Sequence, residues 1–272
     1  MSLHSDPHNP PPGAQAFLRS LPLFRGLNDE QLSEVARHLQ RRWFAAGVTL
    51  YHQDMPGIML YMIESGRVRL FSASRTGHEF THNIFGPGDI LGELPIVDGK
   101  HHSGTAITLL PTVVWILPRA DAEDVLERHP TVAQAMIQIL AARVRLMTSH
   151  VEGMIFQDVQ GRLAYEILRL AIRHGQPSPP TPLPSQTTPL GAPLGGGQAR
   201  AQAAGEGSRA GEVEIGIPLT QVDLASMVGA TRESVNKAMS ALRAQNLVRV
   251  DGTRLIVVNP AGLQQMVQER GR

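Results

Sequence analysis

Residues 228–248 read VGATRESVNKAMSALRAQNLV, and this stretch decides what the C-terminal part of the chain is. Gly229-Ala230 interrupts one helical pattern, and Thr231 is placed to cap the next. In that second pattern Val235, Met239 and Leu242 share a face. Just upstream, TQVDLASMVG (220–229) predicts a short helix, capped by Thr220 and favoured by Asp223 in its first turn. Its Leu224, Ala225 and Val228 pack towards Val235, Met239 and Leu242. Downstream, LVRVDGTRLIVVN (247–259) predicts a hairpin with Asp251-Gly252 in the turn. Helix, tight turn, helix and a two-stranded wing form a winged helix-turn-helix pattern.

This packing leaves the other face of the second helix open. Near its N-terminus lie Arg232, Glu233, Ser234, Asn236 and Lys237. Arginine reads guanine O6 and N7 with two hydrogen bonds, and glutamate accepts from cytosine N4. Thr220 and Thr231 sit at helix N-termini, where backbone amides and hydroxyls suit phosphate oxygens. From Pro218 to Val258, Arg232, Lys237, Arg243, Arg249 and Arg254 outnumber Asp223, Glu233 and Asp251, so the unit is modestly basic. The spacing predicts contact with double-stranded DNA. A solvated helix face with ordinary charges is the alternative.

The rest of the chain is organised differently. At 272 residues it is long for one domain and short for three. Its net charge of +1 means that any basic surface is local. There is no cysteine, which excludes disulfides and thiolate-held zinc, haem or iron–sulfur clusters. The first residues carry no basic segment followed by an apolar one, and no apolar run approaches the roughly 18 residues of a membrane span. The expectation is a soluble cytoplasmic protein, away from membranes. Residues 1–16 read as a disordered tail. LNDEQLSEVARHL (27–39) is helical, with Asn28 or Asp29 as cap.

Residues 17–118 form the next unit, within which the period changes from Arg42 to Leu117 to short apolar or alternating runs, such as LYMIESGRVRLF (60–71), punctuated by glycine and proline. That pattern predicts a β-sandwich or barrel. Residues 119–156 follow as helix. From Pro130 onward, Ile137, Leu140, Val144, Met147, Val151 and Met154 are spaced by 3, 4, 3, 4 and 3 residues. This is a coiled-coil seam, which buries its stripe against a copy of itself. A second line, Met136, Ile139 and Leu146, is available for the β-domain. One amphipathic helix on its own core is the alternative. After a polar break at Gln157–Gly161 the helix restarts and leads into a winged-helix domain over 157–272. That domain is interrupted at 175–211 by a Pro-, Gly- and Ala-rich stretch that reads as a flexible insertion.

This order of parts resembles the CRP/FNR transcription regulators. The resemblance covers about Phe17 to Val258 and is carried by LYMIESGRVRLF, FGPGDILGEL (85–94), FQDVQGRLA (156–164) and the opening stretch. It implies an α+β fold: an N-terminal β-roll sensor domain (jelly-roll-like, a double-stranded β-helix), a long dimerisation helix and a C-terminal winged helix-turn-helix. It further implies a homodimer on a TGTGA-like palindrome, two recognition helices in successive major grooves, and contact with RNA polymerase. Arg232 and Glu233 match the family's base-reading pair. Lys237 stands where many members have a second arginine, which loses bidentate geometry.

In cyclic-nucleotide-binding members the phosphate cassette runs Gly-Glu-Leu, a short helix, then Arg-Ser. Here Gly92, Glu93 and Leu94 match the first part and Ser103 the second, while His102 falls at the arginine. Histidine offers no planar fork and is cationic only part of the time near neutrality. Thr148 and Ser149 match a Thr-Ser pair that cAMP-binding members use for adenine. The effector expected from the resemblance is cAMP or another cyclic nucleotide; a different effector, or an effector-independent regulator with a degenerate pocket, remains open. His78, His82, His101 and His102 lack the spacing of a metal centre, and no metal is expected. No nucleophile–base pair or phosphate-binding Walker loop is present, so a β-barrel enzyme is disfavoured. A non-DNA ligand sensor, whose winged helix serves protein contacts, is the remaining reading.

Overall fold

The computed structural model describes residues 10–177, 212–252 and 254–270. Most of the expected tail and most of the expected insertion lie outside these residues. The elements run α1 (Ala14–Ser20), a 3₁₀ turn (Pro22–Phe24), α2 (Asp29–Arg37), β1 (Gln40–Phe44), β2 (Thr49–Tyr51), β3 (Met59–Ser65), β4 (Val68–Ala73), β5 (Glu79–Phe85), β6 (Ile90–Leu91), α3 (Glu93–Asp98), β7 (Thr105–Thr108), β8 (Thr112–Pro118), α4 (Arg119–Arg128) and α5 (Pro130–Phe156). They continue as α6 (Val159–His174), β9 (Gly175–Pro177), β10 (Val213–Ile215), α7 (Gln221–Val228), α8 (Arg232–Ala244), β11 (Val248–Asp251), β12 (Arg254–Val257) and α9 (Pro260–Arg270). The class is α+β, as expected.

Two antiparallel four-stranded sheets, ordered β1-β8-β3-β6 and β2-β7-β4-β5, form the β-roll. Ile63, Val68, Phe85, Leu91, Ala106 and Val114 fill its interior. The outer face of the first sheet carries a second core, where α1, α2, α4 and the start of α5 meet Leu60, Met62 and Trp115. Trp115 stacks on Phe17 with ring centroids 5.6 Å apart, and its Nε1 donates to Glu64 at 2.6 Å. Burying the indole here therefore leaves no unpaired N–H.

Local rules explain most boundaries. Asn28 caps α2 in a reciprocal capping box with Gln31. Pro130 opens α5 at a first-turn position, where its missing N–H costs nothing. Asp158 caps α6 by accepting from the Gly161 N–H at 2.8 Å, so the polar break is Gln157-Asp158, narrower than the Gln157–Gly161 expected.

Four expectations are adjusted. Helix α1 begins at Ala14, inside the expected tail, because Ala14 and Leu18 are buried in the outer core. Gly175–Pro177, assigned above to the insertion, is an edge strand paired with β10, and a sheet edge tolerates proline. The chain adds a helix, α9, whose Leu263 and Met266 close the winged-helix core. In the stripe of α5, Leu140 packs against the outer core with Ile139 and Met136, whereas Ile137, Val144, Met147, Val151 and Met154 are exposed.

The C-terminal domain is docked on the β-roll through β5. Ile84 inserts into the winged-helix core, Thr81 Oγ1 and Ser226 Oγ lie 2.7 Å apart, and Arg169 donates to Asn83 Oδ1 at 2.7 Å. Beside them a buried triad ties α5 to α6: His150 Nε2 meets Glu166 Oε1 at 2.6 Å, and Arg169 Nε donates to Glu166 Oε2 at 2.9 Å. Burial pushes the Glu166 carboxyl up, but the His150 hydrogen bond and the Arg169 charge outweigh it and hold the group below its ordinary range.

His174 ends α6 in the same junction, buried and with Nε2 unpaired among the described residues. Burial, then the charges of Arg67 and Arg173, depress its pKa from 6.5 to about 4. Below 6.5 the unfolded state binds the proton that the folded state refuses, so stability falls as the pH drops from 6.5 towards 4. Urea midpoints measured across that range are expected to fall with pH, with a shallower slope in His174→Gln. Equal slopes in the two proteins would contradict this account of His174.

Candidate DNA interface and sensor pocket

Helix α7 begins with the expected capping box: Thr220 Oγ1 accepts from the Asp223 N–H at 3.2 Å, and Asp223 Oδ2 accepts from the Thr220 N–H at 2.8 Å. It ends at Gly229, whose φ of 59° is left-handed and suits glycine. The Met154 methyl lies 3.2 Å from where a Cβ on Gly229 would sit, so the end of α5 touches this turn. Helix α8 then starts at Thr231, whose hydroxyl accepts from the Ser234 N–H at 3.2 Å. Its inner face, Val235, Ala238, Met239 and Leu242, is buried against Leu224, Ala225 and Val228. Arg232, Glu233, Asn236 and Lys237 are exposed together on the outer face. Ser234 is drawn inward, accepting from the Thr231 hydroxyl at 3.0 Å. Thr220 is exposed, but its hydroxyl donates to Asp223 at 2.6 Å within the cap. Asp223 in turn faces Arg69 of β4 at 3.4 Å.

The second candidate site lies under the turn before α3. Gly92 has a φ of 79°, and a Cβ there would meet the Met59 carbonyl oxygen at 2.6 Å, so only glycine fits. Glu93 follows and is 3% exposed. Its carboxylate accepts from Arg143 Nη1, and Arg143 Nη2 donates to the Ile90 carbonyl at 2.6 Å. The Arg143 guanidinium also sits 4.9 Å over the Phe85 ring. Arg143 comes from α5, fifty residues away, and was not among the residues singled out from the sequence.

His102 is not placed like a ligand-holding cation. Its ring stacks on Tyr51 with centroids 3.7 Å apart and only 12° between planes. Burial, with His101 nearby, lowers its pKa and keeps the imidazole neutral. The crevice beside it has a volume of about 20 Å³.

Gly92, Glu93, Leu94 and Ser103 line that crevice with His102, and Glu93, Leu94 and Ser103 also line, with Thr148, a larger cavity of about 810 Å³ between the β-roll and α5. Ser149 does not join them; it lines a separate cavity of about 390 Å³ with His150, Arg162 and Tyr165. Consecutive residues of a helix point about 100° apart, which sends the two neighbours to different faces. Among the described residues no three His, Asp or Glu side chains are placed to hold a metal ion, and no helix is long and apolar enough to cross a membrane.

Comparison with known proteins assigns both halves. Residues 41–129 match the cyclic nucleotide-binding domain family, and residues 197–266 match the Crp-like helix-turn-helix domain family. The chain is 28% identical to the cyclic AMP receptor protein of Thermus thermophilus over 92% of its length and 98% of that protein's. It is 26% identical to the CRP-like cAMP-activated global transcriptional regulator of Mycobacterium tuberculosis, over 86% of this chain and 91% of the relative. FixK2 of Bradyrhizobium japonicum shares the fold, with a TM-score of 0.64 at 19% identity over 84% of this chain and 96% of that one. With a cyclic nucleotide-binding domain, a Crp-like helix-turn-helix and near full-length relatives of the same layout, the chain belongs to the CRP/FNR family of transcription regulators.

Proposed function

We propose that the protein acts as a cytoplasmic homodimer on a TGTGA-like palindrome, through Arg232, Glu233, Asn236 and Lys237, and that it works with RNA polymerase. The observation that carries this reading is the outer face of α8, where these four side chains are exposed together while the inner face is buried. Thr220, Thr231 and Ser234 lie at the helix starts, suited to phosphate oxygens. Thr220 and Thr231 have committed their hydroxyls to caps, and the Thr220 amide is taken by Asp223 as well, so the exposed side chains of α8 carry the reading. The exposed stripe of Ile137, Val144, Met147, Val151 and Met154 supports a dimer, since a contiguous apolar face on a helix buries best against its copy. Gel-shift binding to TGTGA-type palindromes tests the proposal. Affinity should fall steeply with salt as counterions are released. Failure to bind any such palindrome, with and without cyclic nucleotides, would sink it.

The sensor function belongs to the β-roll, through Gly92, Glu93, Leu94, His102, Ser103, Thr148 and Ser149 as the candidate set. Two relatives are named for cAMP. Here His102 replaces the cation of the cassette, and losing a charge-assisted contact costs about 1.5–3 kcal/mol. We therefore expect weak cAMP binding by calorimetry, with His102→Arg strengthening it by about one to two powers of ten. Submicromolar affinity in the unaltered protein would contradict this.

The Pro/Gly-rich residues 178–211 lie outside the described structure. They connect β9 to β10, which are hydrogen-bonded neighbours, so a short turn can replace them. Their deletion is expected to leave DNA affinity within about twofold. A large loss in the same gel shift would give the segment a role of its own.

A further inference from the structure

We propose that the contact between the winged helix and the β-roll is an acid-released latch: a proton on His174 detaches the winged helix from β5 while both domains stay folded. His174 ends α6, is 4% exposed and is hydrogen-bonded to the backbone of Ile84. Ile84 belongs to β5, yet it is buried in the winged-helix core, with Leu109 packed at the edge of that core. The other ties across the junction are polar: Thr81 to Ser226, Asn83 to Arg169, Asp89 to Arg173 and Arg69 to Asp223. A junction with few apolar side chains opens at a smaller cost than either core.

The surroundings of His174 refuse a proton. Its Nε2 is buried with no hydrogen-bond partner among the described residues. Arg67, just before β4, and Arg173 and Arg169 of α6 all bear on the ring. The carboxylates of the junction are committed elsewhere: Asp89 to Arg173, Glu166 to His150 and Arg169, and Asp223 to Arg69. Glu214 of β10, the strand alongside, pairs with Arg254. A buried imidazolium would therefore join three like charges with no acceptor at Nε2. His82 of β5 adds to the effect. Neither of its ring nitrogens is paired among the described residues, and burial, with His150 next, lowers its pKa. Glu152 and the paired Glu93 and Arg143 line the cavity that His82 borders.

Docked, His174 takes up a proton only at about pH 4, whereas a released and hydrated ring does so near the ordinary 6.5. Above pH 6.5 both states hold the neutral ring, and the latch is at full strength. Below it the released state binds the proton first, so release gains about tenfold between pH 7.5 and pH 5.5. The winged helix carries α8, and a palindrome needs two recognition helices at a fixed separation, so release alters DNA affinity.

The chain has no cysteine, so a single introduced thiol reports on release in the full-length protein. Thr81→Cys puts that thiol in the junction, against Ser226. Val114→Cys puts it inside the β-roll, where only unfolding exposes it. Maleimide labelling, scaled to free cysteine at the same pH, should speed up about tenfold at position 81 from pH 7.5 to pH 5.5. Labelling at position 114 should stay slow. Adding His174→Gln, checked for folding by circular dichroism, should remove most of the acceleration at position 81. No acceleration in Thr81→Cys, the same acceleration in the folded His174→Gln protein, or equal acceleration at position 114 would overturn the proposal. Thr81→Cys with Ser226→Cys, oxidised to a disulfide, locks the junction. In gel shifts the ratio of affinities at the two pH values should then differ severalfold between the oxidised and reduced forms, and equal ratios would break the link from latch to DNA. Accelerated labelling at position 81 without DNA binding in any form would sink the palindrome reading alone.

Discussion

On a TGTGA-type palindrome, Arg232→Ala is expected to weaken binding by about 1–3 kcal/mol per half-site, and by about twice that for a dimer reading both halves. Arg232 opens α8 with its side chain exposed, and its contact with Gln221 is long, at 3.5 Å, so the guanidinium is available to a base edge. The position of the loss matters more than its size. A base-reading arginine should lose discrimination at one base pair of each half-site, while the salt slope changes by about one unit per phosphate contact at most. Gel shifts across single-base variants of the palindrome measure this. A uniform loss over all variants would make Arg232 a phosphate contact and move the reading role elsewhere on α8. Lys237 gives a comparison in the opposite direction. Lys237→Arg restores a planar fork, so it should sharpen preference at its own base pair without changing the others.

Glu166→Leu is expected to cost about 3–5 kcal/mol of stability, because it leaves His150 and Arg169 buried without the charge that both face. Their side chains are 7% and 11% exposed, so water cannot replace the lost partner. Arg169 also holds Asn83 of β5, so the loss reaches the contact between the winged helix and the β-roll. For a chain of this size the Tm should fall by roughly 6–20 °C. Glu166→Gln keeps a hydrogen-bond acceptor and should lose less. A Glu166→Leu protein within about 1 kcal/mol of the parent in urea denaturation would show that the triad is not buried as described.

The winged helix was legible because its signals are local. Thr220, Gly229 and Thr231 cap or stop helices within a few residues of themselves, and Val235, Met239 and Leu242 repeat at helical spacing. The stripe of α5 was legible for the same reason, yet Leu140 turned out to serve the outer core, since spacing does not say which neighbour a face meets. Glu166 carried a readable clue: it sits between Leu163, Ile167 and Leu170 on the apolar face of α6, where a carboxylate needs a buried partner. Nothing local names that partner as His150, sixteen residues earlier. The helix α9 was missed because PAGLQQMVQER alternates short apolar and polar stretches with little amphipathic order, and Leu263 and Met266 reach the core with Val267 packed at its edge.

By itself the sequence determined the kind of protein this is: a β-roll, a long helix and a winged helix-turn-helix with Arg232 and Glu233 outward. Caps, glycine turns and periodicity are properties of neighbouring residues, and they survive without knowledge of the fold. The tertiary structure alone decided the character of the sensor pocket. Glu93 meets Arg143 across fifty residues, and the His102 ring stacks on Tyr51. Both pairings depend on how the sheets close and where α5 crosses them. A charge that looked available for a ligand is neutralised only once two distant segments are brought together.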